Sequence, residues 1–483
     1  MNKNRNRIAA MMMVAAITVS SVTIPVEAAV VNSNVSSKVV ENTRGTEKDV
    51  TDGVVLNEEN FPDENFRKYL SEEFNVQEGN IISAEKLNNT EKIDLNIKYE
   101  KWLIKDLSGI KYFKNLKSLD CSSHQIKDID LSNNIELKEL KCSNCFIKEL
   151  NLNKNINLEH LECDDNTIEN IDISKLKNLK YLNYSNNNIQ NINLSENINL
   201  ETLICNDNNI SNINLKANVS LINLEGNSNN ITNIDISKNT NLETLILMNN
   251  SIETIDLNNN NKLYRINLES NKLKEINMEN KPNLQYMNLC DNELKEINLP
   301  DNKKWEDIDL SVNKLRNLDL SKIGNIDNYP EISIESNEIG KLKVNEYNRM
   351  QIYPQDIDFT NEKFDNYIDL NKEFGITQED INNNKVEVKT EGITLDGTKL
   401  RWKDKKPAEI KYVYNCGGRN NKTKLYVCLH LEGGSIPDPF PNPDDNKPIT
   451  PSTPSVKPDT NHSKIVGGDR YETAAKIADQ MGS

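Results

Sequence analysis

A 21-residue repeat runs through half of this chain and constrains its fold more than any other feature. From Leu116 onward, the pattern L-x-x-L-x-C/L-x-x-N-x-I-x-x-I-x-L recurs eleven times, with one three-residue insertion near its end. Each copy is too short to bury its apolar side chains alone, so neighbouring copies must stack and share one core. The repeat therefore predicts a solenoid of stacked turns.

Two positions of the repeat have definite structural roles. The third apolar position is held by Cys121, Cys142, Cys163, Tyr184, Cys205, Gly226, Leu247, Leu268, Leu289, Leu310 and Ile334. The polar position three residues later is held by His124, Cys145, Asn166, Asn187, Asn208, Asn229, Asn250, Asn271, Asn292, Asn313 and Asn337. A buried amide can bond to backbone groups of its own turn and of the next, so we expect a stabilising asparagine ladder.

The repeat resembles the leucine-rich repeat family, in a short form common on bacterial surface proteins. The resemblance covers roughly residues 104-344, over which the period, the apolar positions and the asparagine position agree. Twenty-one residues leave no space for a helix between successive strands. The predicted fold class is a β-rich solenoid of the 21-residue leucine-rich repeat form, with a helical N-terminal cap and a C-terminal Ig-like β-sandwich.

The flanking segments differ from the repeats in composition. Residues 1-28 have a basic start, an apolar stretch and a small-residue cleavage site, which predict a signal peptide. Residues 29-55 lack periodicity and are expected to form a disordered arm. Helical spacing in residues 56-103 predicts the N-terminal cap, and strand-like runs in residues 345-432 look like a small Ig-like β-sandwich. Residues 433-462 form a Pro-rich linker.

The predicted cap looks like that of related Gram-positive repeat proteins, which often carries a calcium-loop-like turn. Gly79 and Glu85 have the spacing of the glycine and the final glutamate of such a loop. Phe74 and Val76, however, stand where acidic ligands should be. The ligand identities therefore argue against a calcium site.

The segment 463-483 resembles the start of a type 2 cell-wall-binding repeat, a family that holds anionic wall polysaccharide. The motif residues are Gly468, Asp469, Arg470, Tyr471, Thr473 and Ala474. The sequence stops at Ser483, inside the first copy of such a repeat. So short a piece cannot form a core, so either the sequence is truncated or the protein is released. We expect the sequence to be a truncated form of a longer wall-bound protein.

Charge and cysteine usage argue against several functions. The net charge of −16 disfavours nucleic acid, since phosphate binding needs clustered Lys and Arg. Cys142 and Cys145 form a C-x-x-C pair, but both occupy repeat positions, so we interpret them as core residues. Cys416 and Cys428 lie on two adjacent predicted strands, where a disulfide is plausible but the register cannot be read.

Catalytic motifs do not appear in this sequence. His124 and His160 lie at different positions of the repeat, His430 in the predicted sandwich and His462 in the linker. No H-E-x-x-H, G-x-S-x-G or P-loop spacing is present. We therefore predict no enzyme activity, no metal site and no cofactor.

The exposed side of the predicted strands is the candidate binding surface. Residues 118, 120 and 122 and their equivalents face outward, because side chains alternate along a strand. The candidate ligand-binding residues on or beside this surface are His160, Tyr181, Ile204, Ile246, Met248, Tyr264, Arg265 and Tyr286. Acidic residues flank them, namely Glu139, Glu162, Asp164, Asp307, Asp309, Glu331 and Glu335. The alternative is that Tyr and Ile occur here only because they suit exposed strands.

These features predict an exported, cell-wall-associated surface protein of a Gram-positive bacterium that binds a macromolecular partner through its repeats, as an adhesin does. The expected partner is a host or bacterial surface protein or glycan, with anionic wall polysaccharide bound through the missing tail. No nucleic acid partner and no membrane span after signal cleavage are expected. One alternative is a structural surface-layer or wall component, and another is an accessory of a wall-modifying enzyme.

Overall fold

The computed structural model describes most of the repeats and the segments next to them. The described residues are 52–95, 103–302, 304–324, 330–345, 352–403, 405–417 and 423–431. The predicted signal peptide, most of the predicted arm, the Pro-rich linker and the wall-binding motif lie outside these ranges. Among the described residues, no helix is long and apolar enough to cross a membrane.

In the described residues before the repeats, two short helices accompany a two-stranded sheet. Strand β1 (Val54–Val55) pairs antiparallel with β2 (Ile81–Ile82), and helices α1 (Glu64–Phe74) and α2 (Ala84–Asn89) accompany them. Strand β1 falls within the last residues of the predicted arm, where Val54 is buried in the core.

Side-chain capping fixes where α1 begins. The Asp63 carboxylate accepts hydrogen bonds from the backbone amides of Asn65 and Phe66, and Asn75 ends the helix in the left-handed conformation. Helix α1 buries Phe66 and Leu70, and the Phe74 ring stacks on that of Phe113 with a centroid distance of 6.0 Å. The helix therefore covers apolar side chains at the start of the repeats.

The predicted solenoid of 21-residue turns is confirmed by a twelve-stranded parallel sheet. The strands of this part of the chain are β3 (Lys92–Asp94), β4 (Ser118–Asp120), β5 (Glu139–Lys141), β6 (Glu149–Leu150), β7 (His160–Glu162), β8 (Asn170–Ile171), β9 (Tyr181–Asn183), β10 (Thr202–Ile204), β11 (Asn223–Glu225), β12 (Thr244–Ile246), β13 (Arg265–Asn267), β14 (Tyr286–Asn288), β15 (Asp307–Asp309), β16 (Asn317–Asp319), β17 (Glu331–Ser333) and β18 (Lys341–Lys343). The short pairs β6–β8 and β16–β18 lie apart from the large sheet, which contains all the others. The sheet begins with β3, before the start predicted for the repeats.

Each strand of the large sheet pairs with the equivalent residues of the next turn. Leu140 of β5, for example, lies opposite Leu161 of β7. The middle residue of each strand is buried, whereas its neighbours are for the most part partly exposed. The third apolar position is also buried throughout, and even Tyr184 is fully enclosed there. The turns therefore share one continuous core.

The asparagine ladder has the geometry expected from the sequence. Asn166 Nδ2 donates to the carbonyl oxygens of Cys142 at 2.9 Å and Cys163 at 3.1 Å, and its Oδ1 accepts from the Ile147 amide at 3.0 Å. Cys145 occupies the same position one turn earlier, and its Sγ lies 3.3 Å from the Cys121 carbonyl oxygen. The ladder thus satisfies buried backbone groups that strand pairing leaves without a partner.

A second asparagine ladder, which the sequence interpretation missed, crosses the opposite side of each turn. Asn155 Nδ2, for example, donates to the carbonyl oxygens of Leu131 at 3.1 Å and Asn134 at 2.9 Å. The buried members of this ladder are Asn134, Asn155, Asn197, Asn218, Asn239, Asn260 and Asn302. Leu176 and Lys281 occupy the equivalent positions in two other turns. Buried amide groups therefore donate hydrogen bonds between neighbouring turns on both sides of the solenoid.

The described residues after the repeats form two sheets and two short helices. Its elements are β19 (Gln355–Asp358), β20 (Tyr367–Asp369), α3 (Leu370–Phe374), α4 (Gln378–Asn382), β21 (Val386–Val388), β22 (Thr394–Asp396), β23 (Lys399–Arg401), β24 (Glu409–Gly417) and β25 (Thr423–His430). One sheet has the order β19-β25-β24-β21, with β19 parallel to β25, and the other has the order β20-β23-β22. The sequence interpretation did not include α3 and α4, and the Ig-like β-sandwich stays a prediction.

This segment packs closely on the last turns of the solenoid. Tyr412 Oη donates to the Gly340 carbonyl oxygen at 3.0 Å. A methyl group on Gly340 would approach the Phe374 ring to 2.3 Å, so only glycine fits there. Lys341 Nζ of β18 also lies 2.7 Å from Asp380 Oδ2 of α4. Apolar and charged contacts together hold the segment against the repeats.

A Cys416–Cys428 disulfide, which the sequence left open, is absent, and all eight cysteines are free thiols. Cys428 of β25 lies opposite Lys411, whereas Cys416 lies near the far end of β24, beyond the Tyr414–Leu425 pair. Cys416 also follows the buried alternation of Ile410, Tyr412 and Tyr414, so the two thiols belong to opposite faces of the sheet.

Candidate binding site on the strand face

The strand face consists of the three outward positions of each turn, from Ser118, Asp120 and Ser122 to Glu331, Ser333 and Glu335. Equivalent residues of successive turns lie side by side, so these positions form three rows across the parallel sheet. The first row begins at Ser118, the second at Asp120 and the third at Ser122. Most of the side chains in the rows are partly exposed. The face therefore presents a regular array to solvent.

The first group on this face is built around an aromatic stack. The His160 and Tyr181 rings are parallel to within 3°, with their centroids 4.2 Å apart. His160 Nε2 lies 2.5 Å from Glu162 Oε1, and Lys141 Nζ lies 3.2 Å from the same carboxyl oxygen. These contacts fix the orientation of both rings before any ligand binds.

The charges in this group keep Glu162 ionised. Burial opposes ionisation, but the His160 hydrogen bond and the Lys141 charge outweigh it, so the pKa of Glu162 lies below its ordinary value. The pKa of Asp164, in the third row, is shifted in the opposite direction. Its burial raises the pKa, although the Ser143 hydroxyl donates a hydrogen bond to it at 2.6 Å.

A second group lies in the same row as His160 and Tyr181, and its Arg265 is four turns after Tyr181. The Arg265 guanidinium stands 4.7 Å from the centroid of the Tyr286 ring, a cation–π arrangement. The Tyr286 hydroxyl donates to the Glu306 carboxylate. Burial and Glu306 together raise the pKa of Tyr286 to about 12, so its hydroxyl remains a donor.

Small and aliphatic side chains separate the two aromatic groups. In the first row, Thr202, Asn223 and Thr244 lie between Tyr181 and Arg265. Ile204 and Ile246 lie in the second row on either side of Glu225, and Met248 follows in the third row. With strands about 4.8 Å apart, Tyr181 and Arg265 are about 19 Å from each other.

The structure thus places seven of the eight predicted binding residues on one face. Tyr264 is the exception, because it precedes β13 and lies at the edge of the face. Its backbone carbonyl oxygen accepts from the Gln285 and Tyr286 amides, which continues the sheet. Sequence reasoning did not single out Lys141 and Glu225, although both occupy outward positions of the repeat.

Carboxylates dominate the charge of the strand face. The basic residues among its outward positions, from β4 to β17, are Lys141 and Arg265. The acidic residues at those positions are Asp120, Glu139, Glu162, Asp164, Glu225, Glu269, Asp307, Asp309, Glu331 and Glu335. Burial raises the pKa of Glu269, and repulsion from the nearby Asp309 charge raises it further. A cationic ligand would relieve this repulsion.

The surroundings of the C-x-x-C pair, Cys142 and Cys145, disfavour a reactive site. Burial raises the pKa of both the Cys142 and the Cys145 thiols, which disfavours the thiolate needed for redox or nucleophilic chemistry. Both side chains are also buried in the core. Their positions agree with the interpretation of these residues as core.

Comparison with known proteins finds similarity among solved structures alone, since no protein-family model and no curated protein matches the chain. The functional domain of InlJ from Listeria monocytogenes, which includes a cysteine ladder, is 20% identical, with a TM-score of 0.49 and coverage of 79% of this chain and 100% of that one. The internalin InlF of the same organism is 22% identical, with a TM-score of 0.46 and coverage of 55% of this chain and 86% of InlF. A leucine-rich repeat protein of Leptospira interrogans is 19% identical, with a TM-score of 0.41 and coverage of 57% of this chain and 91% of that protein.

Proposed function

We propose that this chain is an exported, cell-wall-associated surface protein whose strand face binds a basic segment of a protein partner. The observation that carries the proposal is the pair of ordered aromatic groups, His160–Tyr181 and Arg265–Tyr286, on a face rich in carboxylates. Export and wall association are supported by the basic and apolar N-terminal sequence and by the G-x-D-R-Y motif at residues 467–471.

The ordered side chains favour binding because they lose little freedom when a partner arrives. Tyrosine offers a large apolar ring with a polar end, and such residues dominate the binding energy of protein interfaces. The Tyr181 ring is already stacked on His160, and Tyr286 is already held by Arg265 and Glu306. Ile204, Ile246 and Met248 between the two groups supply apolar contact area.

The surrounding carboxylates determine the kind of partner. Lys or Arg side chains of a protein segment would pair with acidic residues such as Glu225 and Asp309, whereas an anionic polymer would be repelled. Opposite charge also accelerates encounter, and this effect weakens as salt screens it. Association with the partner should therefore slow markedly as ionic strength rises.

The proposal can be tested with an array of purified host and bacterial surface proteins and glycans. We expect the full chain to bind one or more proteins that expose a basic segment. The double variant Tyr181→Ala/Tyr286→Ala should bind at least about 30-fold more weakly, equivalent to about 2 kcal/mol. Tyr353→Ala serves as the matched control, because Tyr353 is an exposed tyrosine outside the strand face.

Three results would contradict this function. The double variant could bind the identified protein as tightly as the unaltered chain, or the association rate could be independent of salt. Binding to glycans alone would show that the partner is not a protein. Circular dichroism of the double variant should match that of the unaltered chain, because both tyrosines lie on the outside of the sheet.

A further inference from the structure

Three potential metal ligands meet on the outer face of the sheet β19-β25-β24-β21. In β25, Val427 and Leu429 belong to the hydrophobic core, so Cys428, which is itself buried, and His430 alternate with them onto the other face. Asp356 of β19 lies directly opposite Cys428 in the parallel register. The topology therefore brings a thiol, an imidazole and a carboxylate together from residues that are distant in sequence.

The three side chains are already close to one another. His430 Nε2 lies 3.1 Å from Asp356 Oδ1, and the possible ligand atoms of Asp356, Cys428 and His430 all lie within 4.8 Å of each other. In a tetrahedral zinc site with bonds of about 2.0–2.3 Å, ligand atoms are about 3.3–3.8 Å apart. A rotation of the exposed Asp356 side chain could close most of the difference.

We infer that Asp356, Cys428 and His430 form a zinc-binding site that leaves one coordination position for water. Thiolate, imidazole and carboxylate are all ligands that zinc accepts, whereas calcium and magnesium require oxygen ligands. The site does not depend on the function proposed for the strand face.

The residues around the three ligands agree with this assignment. Glu409 Oε2 lies 3.6 Å from Cys428 Sγ, but Lys411 Nζ pairs with the Glu409 carboxylate at 2.8 Å and holds it. Glu409 does not belong to the group whose ligand atoms all lie within 4.8 Å of one another, so it is a neighbour of the site. Coordination would tie β19 to β25, which lies next to it in the sheet. Zinc should consequently raise the thermal midpoint of this part of the protein.

The experiment uses the full chain after removal of metal with a chelator. Zinc affinity is measured by competition with a chromophoric chelator, and cobalt serves as a spectroscopic probe because thiolate ligation produces a charge-transfer absorption. We expect one zinc per chain and a thiolate–cobalt band. Cys428→Ser and His430→Gln should each weaken zinc binding by more than the ~10–100-fold that loss of a second-shell partner costs.

Cys416→Ser is the matched control, because it removes a buried thiol of the same strand pair on the opposite face. It should retain the affinity and the cobalt band of the unaltered chain. If Cys428→Ser fails to fold, as judged by circular dichroism without metal, Asp356→Asn tests the same site at an exposed edge position. Absence of the thiolate–cobalt band from the unaltered chain, or unchanged zinc affinity in the folded ligand variants, would overturn the proposal.

Discussion

Arg316 and Glu373 form an ion pair that joins the solenoid to the segment after it, with Arg316 Nη1 2.8 Å from Glu373 Oε2. The Glu373 side chain is only 6% exposed, and Arg316 is 30% exposed. The Arg316 guanidinium also lies 3.1 Å from Glu338 and stands over the Phe359 ring at 5.2 Å. One arginine of the repeats thus contacts several groups of the packed interface.

Replacing Arg316 with Met should lower the free energy of unfolding by about 1–3 kcal/mol. Stability falls because Glu373 would stay buried without its main partner. The loss is limited because Arg316 is partly exposed and because Lys372 also pairs with Glu373. Urea denaturation measures the change. Arg401→Met is the control, since its partner Asp396 is 68% exposed, and it should cost less than about 1 kcal/mol. Equal effects of the two substitutions would contradict the prediction.

Val312→Asn should stabilise the protein by about 1 kcal/mol. In each turn, the residue immediately before the position of the first asparagine ladder has a positive φ. This residue is Val312 in one turn and Asn, Asp or Ser in all the others. Val312 has a φ of 52°, which a β-branched side chain adopts only with strain. Thermal unfolding provides the measurement. At Val219, which is exposed but not in this conformation, the same substitution should change stability by less than about 0.5 kcal/mol.

Asn218→Leu should destabilise the solenoid by about 1–3 kcal/mol. Asn218 Nδ2 donates to the carbonyl oxygens of Leu194 at 3.1 Å and Asn197 at 2.9 Å, and leucine would lose both bonds. Leu176 occupies the equivalent position of another turn, so a leucine side chain fits the site. Asn212→Leu, at an exposed position, is the control in chemical denaturation. A control variant as unstable as Asn218→Leu would show that the buried amide is not the cause.

The Asp380 carboxylate should make stability depend on acidity. Burial opposes its ionisation, but hydrogen bonds from Lys341, the Thr377 amide and Lys385 outweigh it and hold the pKa well below its usual range. A lowered pKa in the folded state gives stability that is present above the unfolded-state pKa of about 3.9 and is lost as the pH falls.

Denaturation curves between neutral pH and about pH 3 test this effect. The stability difference between the unaltered chain and Asp380→Asn should shrink as the pH falls, and Lys341→Met should reduce the same pH dependence. A difference that stays constant over this range would show that Asp380 is not held in its ionised form by these partners.

The sequence by itself determined the solenoid, its 21-residue turns, the buried apolar positions and the first asparagine ladder. These features are periodic, so every turn repeats the same local evidence and each residue meets its equivalent one turn away. Seven of the eight predicted binding residues lie on the strand face for the same reason, because strand alternation fixes which side chains point outward. The second ladder was also present in the sequence, since Asn134 and Asn155 recur with the same period, but its carbonyl partners became clear only from the turn geometry.

The tertiary structure alone decided the contacts that do not repeat. The register of β24 and β25 separates Cys416 from Cys428, and the parallel pairing with β19 places Asp356 beside Cys428 and His430. Arg316 meets Glu373 across 57 residues of sequence. Such contacts depend on strand register and on the packing of distant segments, and each occurs once, so no period in the sequence reveals them.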